Sequence, residues 1–164
     1  MTAKENFNIT DFVNSNGCFD LQFRKDTRHE RTNSPTYYRW KVQFVVTNSK
    51  EHIKNLQTLQ HQLGCGIISV VKNQARFSVQ NMNDIQETVI PYFTKNPLKN
   101  AKKKDFELWK KAVHIIGRNK GVALSQWKKN DLLQVMEIHT SSAKYKQKPR
   151  TAKWLQMAKT LTEK

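Results

Sequence analysis

The chain has 164 residues, of which 37% are hydrophobic and 10% aromatic, so it can bury the core of one domain and is not a disordered tail. No hydrophobic run approaches the roughly 20 residues that span a bilayer, which excludes a membrane protein. Lys and Arg number 29 against 13 acidic residues, a formal net charge of +16. This balance favours a polyanionic partner, nucleic acid first and an anionic membrane surface second.

The two cysteines, Cys18 and Cys65, form no CxxC pair and show no zinc-finger spacing. We predict two buried thiols in a reducing compartment and no metal site built on cysteine. The N-terminal residues lack the hydrophobic stretch of a secretory signal, so we expect either a protein that works where it is translated or a targeting segment that lies outside this sequence.

The first half of the chain predicts a helix, two strands and a second helix. The helices carry hydrophobic residues at the i, i+3, i+4 spacing, and the strands alternate hydrophobic with polar residues. We expect Asn8 or Thr10 to cap the first helix, Gly17 to end it and Ser49 to cap the second. The predicted bounds are 9–16 for the first helix, 18–24 and 38–46 for the strands, 25–36 for a polar loop between them, and 49–63 for the second helix.

The second half predicts a β-hairpin followed by helices. Asn83 is expected to cap the first of these helices, with Pro91 near its end. The predicted bounds are 67–71 and 75–79 for the strands, 72–74 for their turn, and 105–116 and 125–139 for the last two helices. The order αββαββα, followed by helices, predicts an α+β fold in which two hairpins form one four-stranded antiparallel sheet.

A basic extension over residues 142–164 follows the predicted domain of residues 1–141. Its cations interleave with Tyr145 and Trp154, a pattern that suits phosphate contact combined with base stacking. A solvated tail with no ligand is the alternative. The cations predicted to contact nucleic acid here are Lys144, Lys146, Lys148 and Arg150.

Three segments in this order resemble the single-motif LAGLIDADG homing endonuclease family, over about residues 9–140. ITDFVNSNGCF resembles the family's signature helix, SVVKNQARFSV its hairpin, and VIPYFTKNPLKNAKKKDFELWKKAVHII its second recurring block. The resemblance implies a saddle-shaped sheet that lies along the major groove of DNA, and signature helices that pack in pairs. One copy of the motif implies a homodimer or pairing with a related chain. The interface residues this implies are Ile9, Phe12, Val13 and Asn16.

The resemblance also implies a divalent metal held by an acid at the foot of the signature helix. Asn16 stands at that position and Asn14 at the earlier acid of the motif, and a neutral amide gives no charge to a hard cation such as Mg²⁺. Ala101 interrupts the lysine-rich run that the family often uses near the scissile phosphate. We therefore expect no catalytic residue, no metal and no enzyme. An active Mg²⁺-dependent endonuclease using Asp11 or Asp20 is the alternative.

The outward face of the sheet is the predicted nucleic-acid surface, because cations there outnumber the single acid Asp20. A solvated sheet face is the alternative, and Val45 and Val71 argue against dense base readout. The predicted contacts are Gln22, Arg24, Arg39, Lys41, Gln43, Ser69, Lys72, Arg76 and Ser78, with Lys102 and Lys103 in the lysine-rich run.

Together these features predict a catalytically inactive family member that binds structured RNA, as a scaffold of organelle ribosomal RNA or an intron maturase. RNA is the first partner expected and DNA the second, and a ribosomal role would add other ribosomal proteins. Many family genes lie in organelle genomes, so the resemblance implies a mitochondrial or chloroplast location and organelle encoding. An active DNA endonuclease and a non-cutting DNA-binding protein are the alternatives.

Overall fold

This computed structural model describes residues 8–27, 36–122 and 124–142 of the chain. Helices and strands follow the predicted αββαββα order, with further helices at the end. The helices are α1 (Ile9–Asn16), α2 (Ile53–Leu63), α3 (Met82–Asp84), α4 (Ile90–Lys95), α5 (Asn100–Arg118) and α6 (Lys129–Ser141). The strands are β1 (Gly17–Thr27), β2 (Thr36–Ser49), β3 (Ile67–Val71) and β4 (Gln74–Val79).

The four strands form one sheet in the order β1-β2-β4-β3. β4 is antiparallel to both of its neighbours: Phe77 pairs with Val46 of β2 and with Ile68 of β3. The predicted α+β fold with a four-stranded antiparallel sheet is confirmed. Among the described residues, no helix combines the length and hydrophobicity needed to cross a bilayer.

α1 begins at a side-chain cap and ends where a glycine is sterically required. The Asn8 side chain accepts a hydrogen bond from the Asp11 N–H at 3.1 Å. Of the two residues predicted to cap this helix, Asn8 is therefore the cap. Gly17 has an extended backbone, with φ −87° and ψ 157°. A Cβ at Gly17 would lie 2.6 Å from Val13 Cγ1 and 2.8 Å from the Val13 carbonyl oxygen, so close approach of the backbone, and not a left-handed turn, requires glycine here.

Two predicted helix caps are wrong. Ser49 makes no side-chain cap and precedes a 3-10 turn over Lys50–His52. Asn81, not Asn83, accepts the capping hydrogen bond, from the Asp84 N–H at 3.2 Å.

The last two helices begin at other residues than the sequence predicts. α5 begins at Asn100 instead of residue 105, and α6 begins at Lys129 instead of residue 125. Hydrophobic periodicity marks only the buried stripe of a helix, so the polar first turn of α5 gives no signal of this kind.

Backbone contacts divide the chain into two units. The first unit comprises Met1–Asp20 and Val42–Glu107. Its core is built from aromatic rings on a strand pair and two helices. Phe19 stacks on Phe44 with ring centroids 5.2 Å apart, and Phe106 lies 5.1 Å from Phe19. Each such buried side chain contributes about 2 kcal/mol of hydrophobic stabilisation.

The second unit comprises Leu21–Lys41 and Leu108–Lys164, of which residues 28–35, 123 and 143–164 lie outside the described residues. The Asp131 carboxylate accepts hydrogen bonds from Arg118 at 2.5 Å and from Asn119 at 3.2 Å. The hydrogen bond from Arg118 holds the pKa of Asp131 below its ordinary value, and the one from Asn119 lowers that pKa further. The boundary predicted at residue 142 stays a prediction.

Candidate nucleic-acid interface

The foot of α1 is held by two contacts from the segment that leads into α5. The Asn14 side chain accepts a hydrogen bond from the backbone N–H of Lys99 at 3.1 Å. The ammonium group of Lys102 donates to the carbonyl oxygen of Gly17, directly after Asn16. Asn14 therefore fixes the backbone at the start of α5, and the lysine-rich run does place a cation at the foot of the signature helix.

The groups at this foot do not fit a divalent metal. Asn16 is half-buried and offers a neutral amide oxygen, and the Gly17 carbonyl already accepts from an ammonium group. A hard divalent cation needs charged oxygen ligands and is repelled by a neighbouring cation. Among the described residues, no three His, Cys, Asp or Glu side chains are grouped so as to hold a metal ion. These groups instead fix the backbone where α1, β1 and α5 meet.

The β3–β4 hairpin presents one face to the core and one to solvent. Ala75, Phe77 and Val79 of β4 are buried. The residues between them on β4, and their partners on β3, form a surface that we name the β3–β4 outward face. Its members are Ile67, Ser69, Val71, Gln74, Arg76 and Ser78, of which only Ser78 is half-buried and the others are exposed.

The turn of this hairpin carries an exposed cation in an unusual backbone conformation. Lys72 has φ 57°, in the left-handed region, which costs a side-chain-bearing residue roughly 1–2 kcal/mol. The Asn73 carbonyl accepts a hydrogen bond from the Lys50 N–H at 2.8 Å, which ties the turn to the end of β2. The predicted contact residue Lys72 is thus exposed at the tip of the hairpin and held there by the backbone.

A chain of side-chain hydrogen bonds leads from a buried acid to the exposed Arg76. The Gln43 amide donates to Asp20 Oδ2 at 2.7 Å, and Gln43 Oε1 accepts from Arg76 Nη2 at 3.4 Å. Asp20 is 2% exposed and Gln43 5%. Gln43, predicted as a direct contact, is therefore too buried to reach a base and instead orients Arg76. The alternation of hydrophobic and polar residues places Gln43 and Arg76 on the outward side of the sheet, but it does not show that Gln43 is buried there.

The predicted contacts of the second unit differ in exposure. Arg39 is exposed, whereas Lys41 and Gln22 are half-buried. In the lysine-rich run of the first unit, Lys103 is exposed and Lys102 half-buried. Outside the described residues lie the side chain of Arg24 and all of Lys144, Lys146, Lys148 and Arg150.

Three of the four residues predicted to form a dimer interface lie in the chain's own core. Ile9 and Phe12 are each 9% exposed and Val13 is fully buried, because they are the hydrophobic stripe of α1. Little of their surface is therefore left to contact a partner helix. Asn16 is half-buried, and the exposed positions of α1 are Asp11 and Ser15. Pairing through α1 stays a prediction, and it would have to use this polar face.

Solved structures of homing endonucleases resemble this chain in fold. That of I-TnaI matches with a TM-score of 0.66 and 20% identity, over 90% of this chain and 95% of that one. I-AabMI bound to uncleaved DNA matches with a TM-score of 0.67 and 21% identity, over 82% of this chain and 43% of that one. I-SmaMI, bound to an uncleaved DNA target in the presence of calcium ions, matches with a TM-score of 0.68 and 20% identity, over 83% of this chain and 44% of that one. This chain spans less than half the length of the latter two.

The family model for LAGLIDADG endonuclease matches residues 9–113. The prediction that the chain is not an enzyme is therefore wrong, because the family is enzymatic and I-TnaI is described as a homing endonuclease. Two residues on which that prediction depended have structural explanations. Asn14 anchors the start of α5. Lys102 places a cation at the foot of α1 although Ala101 interrupts the lysine-rich run. With more than half of its residues matched, this chain belongs to the LAGLIDADG endonuclease family.

Proposed function

We propose that this chain binds double-stranded DNA through the β3–β4 outward face of its first unit. The observation that carries the proposal is the difference in exposure between charges of opposite sign: Arg76 and Lys72 are exposed, whereas the acid Asp20 is buried. A chain with a formal net charge of +16 attracts any polyanion. Because Asp20 is buried, the charged groups exposed to a ligand are the guanidinium group of Arg76 and the ammonium group of Lys72.

Duplex DNA fits this surface better than duplex RNA. The major groove of B-form DNA admits a two-stranded β-ribbon, whereas that of A-form RNA is too deep and narrow for side chains on a sheet to read. The DNA complexes of I-AabMI and I-SmaMI support the same choice. Structured RNA as ligand, a ribosomal or splicing role and an organelle location stay predictions from the sequence.

The test is a binding titration of the purified full chain with a labelled random-sequence DNA duplex at several salt concentrations. Removing one cation that neutralises a phosphate should reduce the slope of log affinity against log salt by about 0.9. We expect the double variant Arg76→Ala, Lys72→Ala to bind several-fold more weakly, with a shallower slope. Lys54→Ala is the control for loss of one positive charge, because Lys54 is an exposed cation on the helix α2 and not on a strand of the sheet.

If the double variant binds DNA with unchanged affinity, the β3–β4 outward face is not the DNA-binding surface. Arg39→Ala with Lys41→Ala tests the β2 residues in the same assay. We further propose that binding needs no divalent metal, because the foot of α1 carries an amide and an ammonium group. Affinity in EDTA should therefore equal affinity in Mg²⁺ at matched ionic strength.

A further inference from the structure

Two large hydrophobic side chains are exposed on the β3–β4 outward face. Ile67 is 71% exposed and Val71 69%. Both lie on the same side of β3, at either end of the strand, with Ser69 between them. A single exposed hydrophobic residue is ordinary, but two on the solvent face of one five-residue strand need a partner that covers them.

The surroundings of these side chains indicate the partner. Ser69 is paired with Arg76 across the hairpin, and the turn after Val71 carries Lys72. A hydrophobic protein surface docked here would have to desolvate the guanidinium and ammonium groups. The DNA major groove offers phosphates to the cations and, on thymine, a methyl group to a hydrophobic side chain. Charge complementarity thus favours DNA as the occupant.

We propose that Ile67 and Val71 contact the 5-methyl groups of thymine in the major groove, and that Arg76 contacts the base pairs between them. The proposal rests on the DNA binding proposed above. At about 3.3 Å per residue, the four residue-to-residue steps from Ile67 to Val71 span about 13 Å, which corresponds to roughly four base-pair steps. The preferred site therefore has two thymines separated by about three base pairs.

The experiment compares thymine with uracil, which lacks only this methyl group. A random-sequence duplex library is selected on the full chain, and individual selected duplexes are resynthesised with deoxyuridine replacing one thymine at a time. Loss of one buried methyl group should weaken binding about fourfold. We expect this loss at two thymines and no change at the others.

Two variants assign the effect to side chains. Val71→Ser removes both methyl groups of the side chain, so it should bind the thymine and uracil duplexes equally at one of the two positions. Val70→Ser is the matched control, because Val70 lies on the other side of β3 and is 43% exposed; it should keep the discrimination.

Three outcomes would overturn the inference. Equal affinity of the wild-type chain for thymine and uracil duplexes at every position would do so while leaving DNA binding itself intact. Discrimination that persists in both Val71→Ser and Ile67→Ser would do so as well. A change of oligomeric state in Val71→Ser, measured by light scattering with the thymine preference unaltered, would assign the patch to a second copy of the chain. Absence of any duplex binding would instead refute the proposed function.

Discussion

The substitution Gln43→Leu tests whether the buried amide holds the outward face together. In the wild-type chain this amide donates to Asp20 at 2.7 Å and accepts from Arg76 at 3.4 Å. Leucine has a similar volume and fits the buried position, so no large cavity is created. What changes is that the carboxyl group of Asp20, 2% exposed, loses a donor that water cannot replace. Loss of a partner by a buried polar group costs about 1–3 kcal/mol.

We expect Gln43→Leu to lower the free energy of unfolding by about 2 kcal/mol, and the urea midpoint by about 1 M. Urea unfolding followed by tryptophan fluorescence measures both. Replacing Asp20 as well, in the double variant with Asp20→Leu, removes the acceptor together with its donor. The double variant should then be less destabilised than the sum of the two single variants, with a coupling of about 1–2 kcal/mol. Additive losses would refute the buried hydrogen bond as a source of stability.

Three further predictions concern the foot of α1 and the second unit. Asn14→Ala should lower the free energy of unfolding by about 1 kcal/mol because the Lys99 N–H loses its acceptor; Asn14→Asp, which keeps an acceptor, should lose less in the same urea titration. Lys102→Met should lower the thermal midpoint more than Lys103→Met, because only Lys102 donates to a backbone carbonyl at the helix foot. The pKa of Asp131 is lowered in the folded state, so the stability it contributes is present above its unfolded pKa and lost as pH falls through the folded value. The free energy of unfolding, measured from neutral pH down to about pH 3, should therefore depend less on pH in Asp131→Asn than in the wild-type chain.

The order of strands and helices was predictable because hydrophobic periodicity is a local property of the sequence. Alternation in β4 predicts that Ala75, Phe77 and Val79 face the core, and all three are buried. The i, i+3, i+4 pattern predicts α1 with its correct bounds. Both patterns report which side of a helix or strand is hydrophobic, and this is enough to predict the order of elements and the buried side of β4.

Pairings between residues distant in sequence were not predictable by the same reasoning. Asn14 and Lys99 meet across 85 positions, and Gln43 and Arg76 across 33. An asparagine in place of an acid looks like a missing catalytic group when only its neighbours in sequence are considered. Its hydrogen bond to the start of α5 becomes visible only in three dimensions, and this explains why Asn14 was a misleading sign that the chain is not an enzyme.

The predicted dimer interface stays a prediction for a related reason. A hydrophobic stripe on a short helix predicts burial, but it does not say whether the burial is inside the chain or against a partner. Val13 is fully buried in the chain itself, which leaves Asp11 as an exposed acid on the helix face available for pairing.

The neutral amide of Gln43 explains how an acid can orient Arg76 without cancelling its charge. A carboxylate paired directly with a guanidinium group would form a bidentate ion pair and occupy the N–H groups that read a guanine edge. With Gln43 between Asp20 and Arg76, the acid fixes the amide and the amide uses one guanidinium nitrogen. A guanidinium group has five N–H donors, so the remaining ones can point into the groove. Gln43→Glu changes this amide to a second acid with nearly the same shape. Like Gln43→Leu, it removes the donor to Asp20 and should lower the free energy of unfolding. It should weaken DNA binding more than Gln43→Leu does, because only the new carboxylate pairs with the Arg76 guanidinium group. Equal DNA affinity of the two variants would refute a role of charge at this position.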